Sequence, residues 1–178
     1  AAGRACGAAL LGARTIQEGG AFEPWKREQV ELFCIDNLVM VEVQCTEELL
    51  TFDFTFPTTP SPPLEPGGAP GPTGTESVFQ ILHQILTGGF KWEEDAFERA
   101  KQGLVQQHEQ QTSSMEGAAT ESLLAQLVGG DARFLSPGPD AMSELSLADV
   151  RAAVTAQLDP ANLEISVVGD LPFDEVER

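Results

Sequence analysis

Residues 146–170, SLADVRAAVTAQLDPANLEISVVGD, join a helical pattern to a strand pattern through a single stop. Leu147, Val150, Val154 and Leu158 recur at helical spacing, Ser146 stands where an N-cap belongs with Asp149 three residues on, and Asp159-Pro160 closes the run. Leu163, Ile165 and Val167 then alternate with Glu164 and Ser166, which predicts a strand with one apolar face ending at Gly169. A helix laid back on the sheet that it feeds is the unit this stretch implies.

The same two periods organise the chain upstream. Val30, Phe33 and Cys34 predict a short amphipathic helix over 26–36. Val39, Val41, Val43 and Cys45 alternate with Met40, Glu42 and Gln44, and Leu50, Phe52, Phe54 and Phe56 alternate with Thr51, Asp53 and Thr55. With only 46–49 between them, these two runs predict an antiparallel hairpin whose phenylalanine face enters the core. Helical periods follow over 76–86, with Val78, Phe79, Leu82, Ile85 and Leu86 on one face, and over 92–111, with Phe97, Ala100 and Leu104 inward. A third, over 115–127, carries Ala119, Leu123 and Leu127. Between hairpin and helices, residues 57–74 (PTTPSPPLEPGGAPGPTG) hold most of the prolines and can neither pair in a sheet nor continue a helix. The resulting expectation is an α+β fold, a two-layer sandwich with helices packed on one face of an antiparallel or mixed sheet. Residues 1–24, rich in Ala and Gly, are expected to be poorly ordered or weakly strand-forming. Residues 25–178 are expected to form one domain with a Pro/Gly-rich insertion at 57–74.

Composition narrows the function. At 178 residues and 42% hydrophobic, the chain can bury a real core. Its 28 acidic against 10 basic residues give a formal net charge of −18, which repels phosphate backbones and anionic headgroups and so excludes nucleic acid and membrane surfaces as partners. No apolar run is long enough to span a bilayer, and the N-terminal residues do not form a signal peptide. Cys6, Cys34 and Cys45 are odd in number and form no Cys-x-x-Cys pair, which fits free thiols in a reducing compartment rather than a disulfide framework or zinc knuckle. Beginning without Met and ending after an acidic tail, the chain is expected to be a piece of something longer.

Catalytic constellations are missing. His108-Glu109-Gln110-Gln111-Thr112 is one residue short of the His-Glu-x-x-His zinc motif, with Thr112 where the second imidazole must stand. The inverted order His-x-x-Glu-His fails at His83, followed by Leu86 and Thr87, and at His108, followed by Gln111 and Thr112. Catalytic zinc takes three protein ligands, and His83 and His108 are the only histidines. Paired carboxylates such as Glu47-Glu48 and Glu93-Glu94 are what an acidic surface produces unaided, and Gly19-Gly20 and Gly129-Gly130 lack a phosphate-loop setting. No catalytic residue and no metal ligand is assigned, and the substrate-binding residues are unknown.

Six stretches carry a resemblance: REQVELFCIDNL (27–38), TEELLTFDFTF (46–56), VFQILHQIL (78–86), DAFERAKQ (95–102), GGDARFLSP (129–137) and LEISVVGDLPFDEVE (163–177). In their order and spacing the chain resembles a segment of a pitrilysin/insulinase-type zinc metallopeptidase, from its non-catalytic half. The branch it resembles most removes transit peptides from precursors imported into the chloroplast stroma. The resemblance implies a wall-forming repeat that encloses substrate, no cofactor in this segment, and zinc held by the parent enzyme through a His-x-x-Glu-His motif elsewhere. It further implies the remaining domains of the parent peptidase as partners and basic transit peptides as substrates, for which the acidity supplies an attraction. Two departures stand out: the insertion at 57–74, and Gln106, Gln107 and His108 where the family has aromatic residues. A non-catalytic scaffold or assembly subunit of the same fold is the alternative. An independent hydrolase using His108 and Glu109 is a third reading.

Overall fold

The computed structural model describes residues 2–46, 48–60, 71–131 and 133–170. In chain order its elements are α1 (Ala2–Gly19), α2 (Arg27–Asp36), β1 (Met40–Cys45), β2 (Leu50–Thr55), α3 (Gly74–Gly88), α4 (Glu94–Ser113), α5 (Met115–Leu127), α6 (Pro139–Ser143) and α7 (Leu147–Thr155), followed by one 3₁₀ turn, Pro160–Asn162. Among the described residues the fold is therefore α+β, with seven α-helices and one two-stranded antiparallel sheet. The chain divides into two compact units, residues 1–19, 43–51 and 92–157 in the first and 20–42, 52–91 and 158–178 in the second.

The hairpin forms where alternation placed it. Val41, Val43 and Cys45 turn away from solvent while Met40, Glu42 and Gln44 are exposed, and Phe52 and Phe54 are half-buried beside exposed Asp53 and Thr55. Thr46 shapes the turn: its N–H donates to the Leu49 carbonyl at 2.8 Å and its hydroxyl accepts from the Leu49 N–H at 3.1 Å.

In the second unit, Phe22, Val30, Val39, Val78, Ile81 and Ile85 form the core, with Phe54 and Phe56 packed against it. Trp25 bridges two rings, Phe22 at 5.8 Å and Phe33 at 5.1 Å between centroids, and Phe52 stacks on Phe90 at 5.7 Å. Helix α3 starts two residues earlier than its apolar pattern indicates, because Thr73 and Glu76 form a reciprocal cap: the Thr73 hydroxyl accepts from the Glu76 N–H at 3.2 Å, and the Glu76 carboxylate accepts from the Thr73 N–H at 2.9 Å. Its C-terminal stop is Gly89 at φ +76°, left-handed backbone that glycine adopts without a Cβ penalty.

In the first unit α1 packs against α4, α6 and α7 around Ala8, Leu11, Phe97, Ala100, Met142, Leu145 and Val150. Ser146 caps α7 as its sequence indicates, its hydroxyl accepting from the Asp149 N–H at 3.3 Å while the Asp149 carboxylate accepts from the Ser146 N–H at 3.1 Å. Val150 and Val154 are fully buried.

Three departures from the sequence reading have physical causes. Residues 2–19, within the stretch expected to be poorly ordered or weakly strand-forming, are an 18-residue helix. Ala8, Leu11, Gly12, Thr15, Ile16 and Gly19 are all buried, a helical stripe at intervals of three and four built largely from small residues. Residues 163–168, expected to be a strand, join no sheet among the described residues, and every residue from 161 to 170 is exposed. An alternating pattern prepares a strand, but hydrogen bonding to a neighbour makes one. Finally α6, a single turn begun by Pro139 at its first position, has no apolar period to announce it. Of the Pro/Gly-rich insertion, 61–70 lie outside the described residues.

Candidate functional site

Helix α4 carries the residues that the sequence singled out. It opens with Glu94 and Asp95, which favour the helix dipole, and Ala96, Phe97 and Ala100 anchor it in the core. Its two cations are committed to structure. The Arg99 guanidinium donates to Asp95 at 2.8 Å and reaches Glu18 on α1 at 3.9 Å. The Lys101 ammonium lies 5.4 Å from the Phe97 ring centroid and donates to the carbonyls of Ser143 and Leu145 at 3.1 and 3.3 Å, satisfying oxygens at the end of α6.

Two turns later comes His108. Its ring is half-buried, and its Nδ1 is shielded from solvent without a hydrogen-bond partner. Glu109 is exposed. The Thr112 hydroxyl donates back to the carbonyls of His108 at 2.9 Å and Glu109 at 3.3 Å, a local backbone bond that leaves the residue no outward role. His83 is exposed on α3 in the other unit. Among the described residues no three His, Cys, Asp or Glu side chains gather where they could hold a metal ion. Glu93 and Glu94 are both exposed, and Glu47 lies outside the described residues. The free thiol of Cys34 is pushed above its ordinary pKa by burial, which disfavours the thiolate that a nucleophile or metal ligand needs.

What the fold does assemble is a pair of consecutive helices, α4 and α5, joined through Ser114, the second of them acidic and partly apolar. Ser114 ends α4 and caps α5, its hydroxyl accepting from the Gly117 N–H at 3.0 Å and donating to the Gln111 carbonyl at 3.1 Å. Gly117 is required there: a Cβ would overlap the Gln111 carbonyl oxygen. Helix α5 buries none of its residues, and Leu123 and Leu127, which carry its apolar period, are 59% and 75% exposed. From Gln102 to Ala132 the chain contains no Lys or Arg, while Glu109, Glu116, Glu121 and Asp131 are acidic. The period of α5 was legible in the sequence, but its direction was not, because nothing local says whether a leucine stripe meets a neighbour.

Beyond α5, Gly129 and Gly130 take left-handed φ values of +64° and +75°, and Asp131 grips Arg133. The Arg133 guanidinium donates to Asp131 at 2.6 Å and its backbone N–H donates at 3.0 Å, holding the Asp131 carboxyl at a pKa of about 2 against an ordinary 3.8. A lowered folded pKa means that the contact contributes stability above pH 3.8 and loses it as pH falls through about 2. A carboxyl NMR titration is expected to place the Asp131 midpoint near 2, and Arg133→Gln is expected to return it toward 3.8. An unchanged midpoint in that variant would show that the arginine is not the cause.

No helix among the described residues is long and apolar enough to cross a membrane. No protein-family description matches the chain, and no solved structure does. Curated proteins do. The chain is 35% identical over 172 residues, 97% of its length, to a chloroplastic stromal processing peptidase of Arabidopsis thaliana. It is 34% identical over 96% of its length to that of Oryza sativa subsp. indica, and 33% over 96% to that of Pisum sativum. In each case it spans 13% of the relative's length, so the match is to a segment of a larger peptidase.

Proposed function

From its likeness to one segment of a set of larger peptidases, we propose that this chain is a non-catalytic, substrate-enclosing part of a zinc metalloendopeptidase that removes transit peptides from precursors imported into the chloroplast stroma. The observation that carries the reading is similarity along 97% of the chain to a stromal processing peptidase. Its role is confinement and electrostatic attraction, while bond cleavage and the zinc ion belong to another part of the parent polypeptide. Transit peptides are Arg-rich and poor in acid, and a net charge of −18 attracts them over a range set by the Debye length, about 8 Å at physiological ionic strength. Ion pairs among described side chains engage Arg14, Arg27, Lys91, Arg99 and Arg133, half of the 10 basic residues, and the acidic excess shapes the outer field.

The test is metal analysis and turnover of the purified chain. It is expected to retain far less than one zinc ion per molecule and to cleave no basic peptide. One tightly held zinc, or cleavage abolished by chelator, would overturn the reading. If the full gene product carrying this segment shows no zinc-dependent cleavage either, the scaffold or assembly reading replaces it.

A further inference from the structure

We infer that the exposed face of α5 is a docking surface for a basic amphipathic helix. The half-buried residues of α5, Gly117, Glu121 and Ala125, recur every four residues. A different face carries Ala119, Leu123 and Leu127, also four apart and all exposed, with Leu124 38% exposed at its border. Glu116 lies seven residues before Leu123, two turns away and on the same side, so the apolar stripe begins beside an exposed carboxylate. Thirteen residues give α5 a length of about 20 Å, enough to seat between about three and four turns of a parallel helix at anchors spaced i, i+4, i+8.

The sign of the partner follows from charge. Lys101 and Arg133 are the nearest cations along the chain on either side, and both are bound, the first to two carbonyls and the second to Asp131. An acidic helix would be repelled, and a second copy would set two chains of net charge −18 against each other. A helix with leucines on one side and Lys or Arg flanking them meets both the stripe and the carboxylates. The inference deepens the reading above by supplying a place for a transit-type peptide, and it rests on that reading for the peptide's biological source alone.

The probe is a synthetic, fluorescein-labelled amphipathic peptide of Leu, Ser and Arg, about five turns long, titrated with the 178-residue chain and followed by anisotropy. Binding is expected at low ionic strength and to weaken about tenfold between about 20 and about 300 mM salt. The double substitution Leu123→Asp and Leu127→Asp is expected to weaken it at least about tenfold, and Glu116→Lys about threefold, without changing the far-UV circular dichroism, because all three side chains point to solvent. Met40→Asp, at an exposed position of β1, is the control that leaves binding unchanged. Equal affinity of the double variant and the native chain would overturn the docking surface while leaving the peptidase reading intact. So would a concentration-dependent dimer that vanishes in the double variant, since a second copy would then occupy the face. Zinc-dependent cleavage by the chain itself would instead overturn the peptidase-wall reading and leave α5 standing.

Discussion

Phe97→Ala is expected to lower the stability of the first unit by about 3–5 kcal/mol, the range for emptying a phenylalanine site in a packed core. Phe97 is 2% exposed and sits among Leu11, Ala100, Met142 and Val150, contributed by α1, α4, α6's turn and α7. It is also the ring beneath the Lys101 ammonium, so its loss removes a face that helps to hold the cation capping α6. Against a total of about 5–15 kcal/mol for a typical domain, that cost brings the unit close to unfolding at ambient temperature. Urea titration, with hydrogen exchange of the α1 and α4 amides, measures it. A loss under about 1 kcal/mol would mean that α4 does not seat its first two turns on α1 as described.

Gly12→Ala is expected to destabilise by about 1–3 kcal/mol although alanine is the better helix former by about 1 kcal/mol. The sign makes the test useful. Gly12 faces α7 so closely that a Cβ would overlap Val154 Cγ2 and lie 3.3 Å from Val150 Cγ1, and both valines are fully buried with no room to swing aside. Steric overlap at the crossing therefore outweighs the gain in propensity. Val154→Ala removes the obstructing methyl at the cost of a cavity, and in the double variant the two penalties should fall short of their sum by about 0.5–3 kcal/mol, the usual coupling of residues in contact. Stabilisation by Gly12→Ala alone would show that the two helices stand further apart.

Phe97 was read as inward from its helical spacing, whereas Gly12 marks where local sequence stops being informative. The hairpin, α2, α3, α4 and α7 were legible because alternation and helical spacing are direct consequences of backbone geometry, and the Ser146 and Asp149 cap is a local hydrogen-bond pattern. Helix α1 was not, because glycine and alanine read as breakers or filler when counted singly. Gly12 earns its place through a neighbour more than 130 residues away. Similarly, the open stripe of α5 was not legible, because it depends on what α5 fails to touch among the described residues. Thr73 and Glu76 were readable in principle as a capping pair, masked by the proline-rich run that leads into them.

The exposed stretch at 163–168 has a practical consequence for the isolated chain. Leu163, Ile165 and Val167 alternate with Glu164 and Ser166 in a six-residue stretch whose only charge is Glu164, and Val168 beside them is 93% exposed. Such a segment is a template for its own kind, able to stack into cross-β assemblies once molecules approach. Mutual repulsion between strongly anionic molecules opposes that approach, so colloidal stability should be greatest in dilute buffer near neutral pH. It should fall in concentrated salt or in acid, where screening or protonation removes the barrier before any helix melts.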